Sequence, residues 1–141
     1  MNYSPRLRAE FPPRTWNTNR TLVLSVDDDP TVLFTRQRIL ELHGYHVLSA
    51  ANGEEALAVF DIYPIRIVLL DYAMPGRDGG MVALEMKKRK PHVPIVIVSA
   101  QSVPEHTVSC ADGFVTKGEG PALLLATIQE LLPPAPLLRL K

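Results

Sequence analysis

The stretch Leu22-Val23-Leu24-Ser25-Val26-Asp27-Asp28-Asp29-Pro30 decides the reading of the chain. Its first five residues are a short apolar run, as expected of a strand covered on both faces. Three aspartates end it, and Pro30 is a favoured first-turn helix residue. Val32, Thr35, Ile39 and Leu42 then recur at spacings of three and four, which predicts a helix stripe that Gly44 ends. Working outward, the same alternation repeats. His46–Ala50 reads as a second, weaker strand. Asn52-Gly53-Glu54-Glu55 opens a helix, with Asn52 placed to cap it and Glu55 to reach back. Ile65–Leu70 reads as a third strand, Gly79–Arg89 as a helix and Ile95–Val98 as a fourth strand. Ser102-Val103-Pro104-Glu105 reads as a capping box before a short helix, Phe114–Thr116 as a fifth strand and Pro121–Leu132 as a last helix.

Five short apolar strands alternating with helices predict an α/β fold built on a parallel sheet. In such folds ligands sit beyond the carboxyl ends of the strands, near the point where strand order reverses. The length of 141 residues fits one domain. Lys+Arg and Asp+Glu balance at 15 each, leaving no electrostatic footprint for direct nucleic-acid binding. No apolar run approaches the length of a membrane span, and the Arg- and Pro-bearing first 20 residues lack the apolar centre of a signal peptide. Cys110 stands alone, which excludes a disulfide framework and a cysteine metal cluster. A cytoplasmic protein without membrane contact is the expectation. Residues 1–20 read as a poorly ordered tail, 21–132 as the folded domain, and 133–141 as a C-terminal tail or linker stub. Phe11 and Trp16 could dock on the body.

The polar residues of interest lie at strand ends. Asp27, Asp28 and Asp29 follow the first strand, Asp71 the third, Ser99 the fourth and Lys117 the fifth. A parallel sheet brings all four ends to one edge. Carboxylates gathered there raise one another's pKa unless a cation intervenes. A hard divalent ion such as Mg²⁺, bound through carboxylates, backbone carbonyls and phosphate oxygens, answers that need. Asp27, Asp28 and Asp71 carry three negative charges, which Mg²⁺ and Lys117 would offset. One carboxylate could then act as a nucleophile and form an aspartyl phosphate, with Ser99 donating to a phosphoryl oxygen. Taken singly, each residue has an ordinary reading. The three aspartates could form a solvated turn, with Asp29 as the helix cap. Asp71 could be a loop acid, Ser99 a backbone-satisfying hydroxyl and Lys117 a surface lysine. Their joint occurrence at four strand ends points to a metal-assisted phosphate site.

Four segments resemble the receiver domain of two-component response regulators, of the chemotaxis type. They are Leu22–Pro30, Ile67-Val68-Leu69-Leu70-Asp71-Tyr72-Ala73-Met74-Pro75-Gly76-Arg77-Asp78-Gly79, Pro94–Ala100 and Gly113-Phe114-Val115-Thr116-Lys117. The resemblance covers about residues 20–132. It implies a doubly wound, flavodoxin-like five-stranded sheet of order 2-1-3-4-5 flanked by five helices. It also implies that Asp71 takes a phosphoryl group from a phosphohistidine of a sensor histidine kinase or phosphotransfer protein. On the same basis Asp27 and Asp28 hold Mg²⁺ with Asp71 and the Ala73 carbonyl, and Lys117 contacts the phosphoryl group. Ser99 and Phe114 would be the switch residues, re-aiming the surface of the fourth helix, fifth strand and fifth helix toward a downstream protein target.

The pattern departs from the family in three places. Gly118 follows Lys117 where the family usually carries proline. Only 17 residues separate Ser99 from Lys117, which predicts a shortened fourth helix of about two turns. Ala73 and Gln101 occupy the positions that tune dephosphorylation. An alanine side chain cannot orient a water, so a long phosphoryl lifetime is expected. Between Val93 and Leu132, Lys117 faces Glu105, Asp112, Glu119 and Glu130 as the one Lys or Arg, so a dimer built on alternating salt bridges is not expected there. Lys87-Lys88-Arg89-Lys90 reads as a solvated helix end favoured by the dipole. Two other functions compete. An aspartate-nucleophile phosphatase would use Asp27 and Asp29 but leaves Asp71 idle and needs a cap domain. A receiver-like module could bind proteins without phosphorylation. The residues after Leu132 are too few for an output domain, so a stand-alone receiver or the receiver end of a longer parent is expected.

Overall fold

A computed structural model describes residues 20–100 and 102–132 of the chain. Gln101, the terminal segments 1–19 and 133–141, and with them Phe11, Trp16 and the two predicted tails, lie outside the described residues. Five strands alternate with five helices: β1 (Leu22–Val26), α1 (Pro30–Leu42), β2 (His46–Ala50), α2 (Gly53–Ile62), β3 (Ile67–Asp71), α3 (Gly79–Arg89), β4 (Ile95–Ser99), α4 (Glu105–Val108), β5 (Gly113–Thr116) and α5 (Pro121–Leu131). All strand pairings are parallel, and the order across the sheet is β2-β1-β3-β4-β5. This is the doubly wound α/β arrangement that the sequence predicts.

Strand side chains alternate between two cores, as the two-residue period requires. Leu22, Leu24, Val26, Val68 and Leu70 face one side, where they meet Ala56, Leu57 and Phe60 of α2 and Val82, Ala83 and Met86 of α3. Val23, Ile67, Leu69, Val96 and Val98 face the other side, with Leu40 of α1 and Ile128 of α5. Every residue of β1, β3 and β4 is buried, which explains their uninterrupted apolar character.

The helix starts follow local chemistry. The Asp29 carboxylate accepts from the Thr31 N–H at 2.9 Å, so Asp29 caps α1. Asn52 accepts from the Glu55 N–H at 2.8 Å, and Glu55 reaches back to the Ala51 N–H. Asp78 caps α3 through the Met81 N–H at 2.9 Å.

Four expectations need correction. The α1 stripe is rotated: Arg36 and Leu40 are its buried residues, while Leu42 is 80% exposed. An arginine takes an inward position that a hydrophobic pattern assigns elsewhere. β3 starts at Ile67 because the Ile65 N–H turns back onto the Tyr63 carbonyl at 2.8 Å. The Ser102 capping box does not form. Pro104 is the N-cap of α4, which leaves Ser102 two residues outside the helix, and no side-chain cap bond is made. The fourth helix, α4, spans 4 residues, about one turn rather than two.

Candidate functional site

The carboxyl ends of β1, β3, β4 and β5 meet at one edge, at the reversal between β1 and β3. Oxygens of Asp27, Asp28 and Asp71 lie within 4.8 Å of one another there. Asp27 and Asp71 are buried and Asp28 is exposed, so the pocket has a dry floor and an open mouth. Lys117 places its Nζ 2.9 Å from Asp27 Oδ2 and 3.3 Å from Asp71 Oδ1. Arg36 approaches from α1, with Nη2 3.6 Å from Asp27 Oδ2 and Nη1 donating to Ser25 Oγ at 3.2 Å.

Loop chemistry holds the acids in place. The Asp29 N–H donates to Asp27 Oδ1 at 3.0 Å, fixing that carboxylate across the β1–α1 turn. The Gly79 N–H donates to the Tyr72 carbonyl at 2.7 Å and closes the loop after β3. A Cβ at Gly79 would lie 2.6 Å from the Asp71 carbonyl oxygen and 2.7 Å from Tyr72 Cα, so glycine alone fits that approach. The Lys117 N–H donates to the Ser99 carbonyl at 2.7 Å, which ties the β5 end to β4. Gly118 follows at φ +90°, a conformation proline cannot take. The chain thus delivers Lys117 to the carboxylates by a glycine turn.

Burial pushes the Asp71 carboxyl above the usual carboxylate range, and the nearby Asp27 charge pushes the same way; Lys117 and the Ala73 N–H oppose them. Burial pulls the Lys117 ammonium down, but Asp27 and Asp71 outweigh it and hold its pKa above the ordinary lysine value. Burial also lowers the Arg36 pKa against the pull of Asp27 and Asp71, yet a guanidinium stays charged in any case.

The arrangement suits a hard cation. Asp27 Oδ2 is buried and, although both cations approach it as ion pairs, makes no well-directed hydrogen bond. Together with two further carboxylates it forms an all-oxygen donor set of the kind Mg²⁺ prefers.

The other expected site residues are placed as follows. Ser99 is buried at the end of β4. Ala73 is exposed beside Asp71, and its N–H bonds the Asp71 carboxylate. Phe114 is 39% exposed on β5 and does not join the cluster. Asp29 serves as a helix cap. Sequence reasoning missed Arg36. The available signal was a cation four residues before Leu40, inside a helix that directly follows the aspartates.

Comparisons with known proteins agree with this fold. The model of the response regulator receiver domain matches residues 23–129. A probable transcriptional regulator of Cyanidium caldarium, ycf27, is 36% identical over 120 residues, which cover 82% of this chain and 48% of the relative. The response regulator SaeR of Staphylococcus aureus is 31% identical over 116 residues, covering 79% of this chain and 50% of the relative. The chain spans about half the length of the curated relatives it matches. Among solved structures, the response regulator TrrA of Thermotoga maritima in complex with Mg²⁺-BeF superposes with a TM-score of 0.76. It is 33% identical and covers 79% of this chain and 99% of its own. TrrA is also known in complex with the histidine kinase ThkA. A CheY-like receiver from Methanospirillum hungatei gives a TM-score of 0.75 at 30% identity, covering 79% of this chain and 92% of its own. Sheet order, strand-end acids and these matches agree: the chain belongs to the response regulator receiver domain family.

Proposed function

We propose that Asp71 is the phosphoacceptor of a two-component signalling switch. One observation carries this reading: Asp27, Asp28 and Asp71 oxygens converge within 4.8 Å, with Lys117 Nζ on both buried acids. An Asp71 carboxylate oxygen attacks the phosphorus of a phosphohistidine on a sensor histidine kinase or phosphotransfer protein. The new O–P bond forms as the P–N bond breaks, and the imidazole leaves with a proton from solvent. Asp27, Asp28, Asp71 and the Ala73 carbonyl would hold Mg²⁺, which supplies positive charge to the phosphoryl oxygens. Lys117 stays paired with Asp27 and turns toward the transferred group, and Ser99 donates to one of its oxygens. The acyl phosphate adds about one negative charge at the strand ends. Only the arrangement that bonds it better gains population. Phe114, turning inward from its exposed position, would carry that change to the surface of α4, β5 and α5, where a protein target reads it.

The domain that does this spans residues 21–132. Its chemistry is self-phosphorylation and self-dephosphorylation rather than turnover of a free substrate. Ala73, with one side-chain carbon, leaves water unoriented, so the phosphoryl group is long-lived; Gln101 is the second tuning position. The proposed phosphohistidine donor would put the protein in the cytoplasm. Among the described residues no helix is long and apolar enough to cross a membrane. The phosphatase reading loses support because the Asp29 carboxylate is engaged as a helix cap. The test is incubation with acetyl phosphate and Mg²⁺ followed by intact mass measurement. The wild type should gain one phosphoryl group, and Asp71→Asn should gain none. An unmodified wild type, or equal labelling of both, overturns the assignment.

A further inference from the structure

Arg36 is a described residue of the pocket that phosphoacceptor chemistry does not require. Its side chain points inward from α1 into the face of the sheet formed by Val23, Leu69 and Val98. Burying a guanidinium there is costly unless it is paired and hydrogen-bonded. Two partners meet that condition, Asp27 Oδ2 at 3.6 Å and the fully buried Ser25 Oγ at 3.2 Å. Ser25 is itself a polar residue in an apolar strand, so the Ser25–Arg36 pair is a polar inset in the core, built against the metal side of the pocket. Asp27 Oδ2 is shared by two cations, Arg36 and Lys117, before any ion arrives.

We propose that Arg36 is a fixed counter-cation that competes with the divalent ion for Asp27 and thereby makes the pocket favour the phosphorylated state over the merely metal-loaded one. The inference rests on the phosphoacceptor reading above. Charge arithmetic gives its direction. Three carboxylates against Lys117 and Arg36 leave one negative charge, and a bound Mg²⁺ overshoots to one positive. The about one further negative charge of an aspartyl phosphate closes the balance. Without Arg36 the balance closes at Mg²⁺ alone, and the phosphoryl charge then has no compensating partner. Arg36 does not touch the transferred group; it is a positioning residue that acts through Asp27.

Calorimetric titration of the unphosphorylated protein tests this. Arg36→Met should bind Mg²⁺ about tenfold tighter than the wild type. In saturating Mg²⁺ it should bind beryllofluoride, a phosphoryl mimic, about tenfold more weakly. Arg36→Lys should stay near the wild type in both. The opposite signs separate a charge effect from loosened packing, which would weaken both. The double variant Ser25→Val/Arg36→Leu replaces the polar inset by apolar side chains, a change that buried ion pairs tolerate. It should repeat the Arg36→Met result, and it stands in if the single variant does not fold. Affinities equal to the wild type in a folded variant overturn the role of Arg36. A wild type that binds neither Mg²⁺ nor beryllofluoride overturns the phosphoacceptor reading itself.

Discussion

The two faces of the sheet are built differently. The face under α2 and α3 is a continuous apolar layer from Leu22 and Phe60 through Met86 to Ile97. The face under α1 and α5 is smaller, carries the Ser25–Arg36 inset, and opens into a cleft of about 460 Å³ between the two helices. Thr31, Val32, Thr35, Ile39 and Leu124 line that cleft, together with Lys117 and Gly118. The contrast teaches a division of labour. One face supplies cohesion, while the other gives up packing to bring charge to the strand ends.

Substitutions on the two faces sharpen or break that division. Phe60→Ala on the α2/α3 face should cost about 3–5 kcal/mol by urea unfolding, and Ile128→Ala on the α1/α5 face should cost less, because a smaller side chain is lost from a smaller apolar cluster. Equal costs would erase the distinction. Gly79→Ala tests the link between the dense face and the site. Its Cβ meets the backbone of Asp71 and Tyr72, so a loss of about 1–3 kcal/mol is expected, together with weakened beryllofluoride binding. Ser25→Ala removes the acceptor of Arg36 and should cost about 1 kcal/mol in the same unfolding assay. A neutral result would mean that Asp27 alone holds the guanidinium. The smallest effect is the alkaline one. The folded Lys117 pKa is raised, so the stability its charge contributes is complete below the ordinary lysine value and is lost as pH rises through the raised one. Lys117→Met should flatten that alkaline decline in a pH series of thermal melts.

Much of this was legible in the sequence because it is local. Apolar runs locate β1 and β4, and the residues before Pro30 and Gly53 announce their helices through Asp29 and Asn52, whose caps form as read. The convergence of Asp27, Asp71 and Lys117 follows from parallel strands alone. What stayed hidden depends on partners distant in the chain. The rotation of α1 cannot be read from its own pattern, since Arg36 is an acceptable inward residue only when Asp27 and Ser25 wait beneath it. Leu42, apolar and in register with the expected stripe, ends up in solvent while Arg36 on the same helix is buried. The Ser102 cap fails for a nearer reason: Pro104 opens the helix two residues later than the motif needs.

Asp27 and Lys117 touch across 2.9 Å, yet they come from the first and last strands of the fold. Those strands do not pair with each other; β3 and β4 lie between them, so the contact waits on several non-local pairings, which are slow to assemble. Until the fifth strand docks, Asp27 has Arg36 beside it while Asp71 still lacks its lysine. The Asp27–Lys117 contact is therefore a late event in folding, made when the edge strand β5 docks on β4.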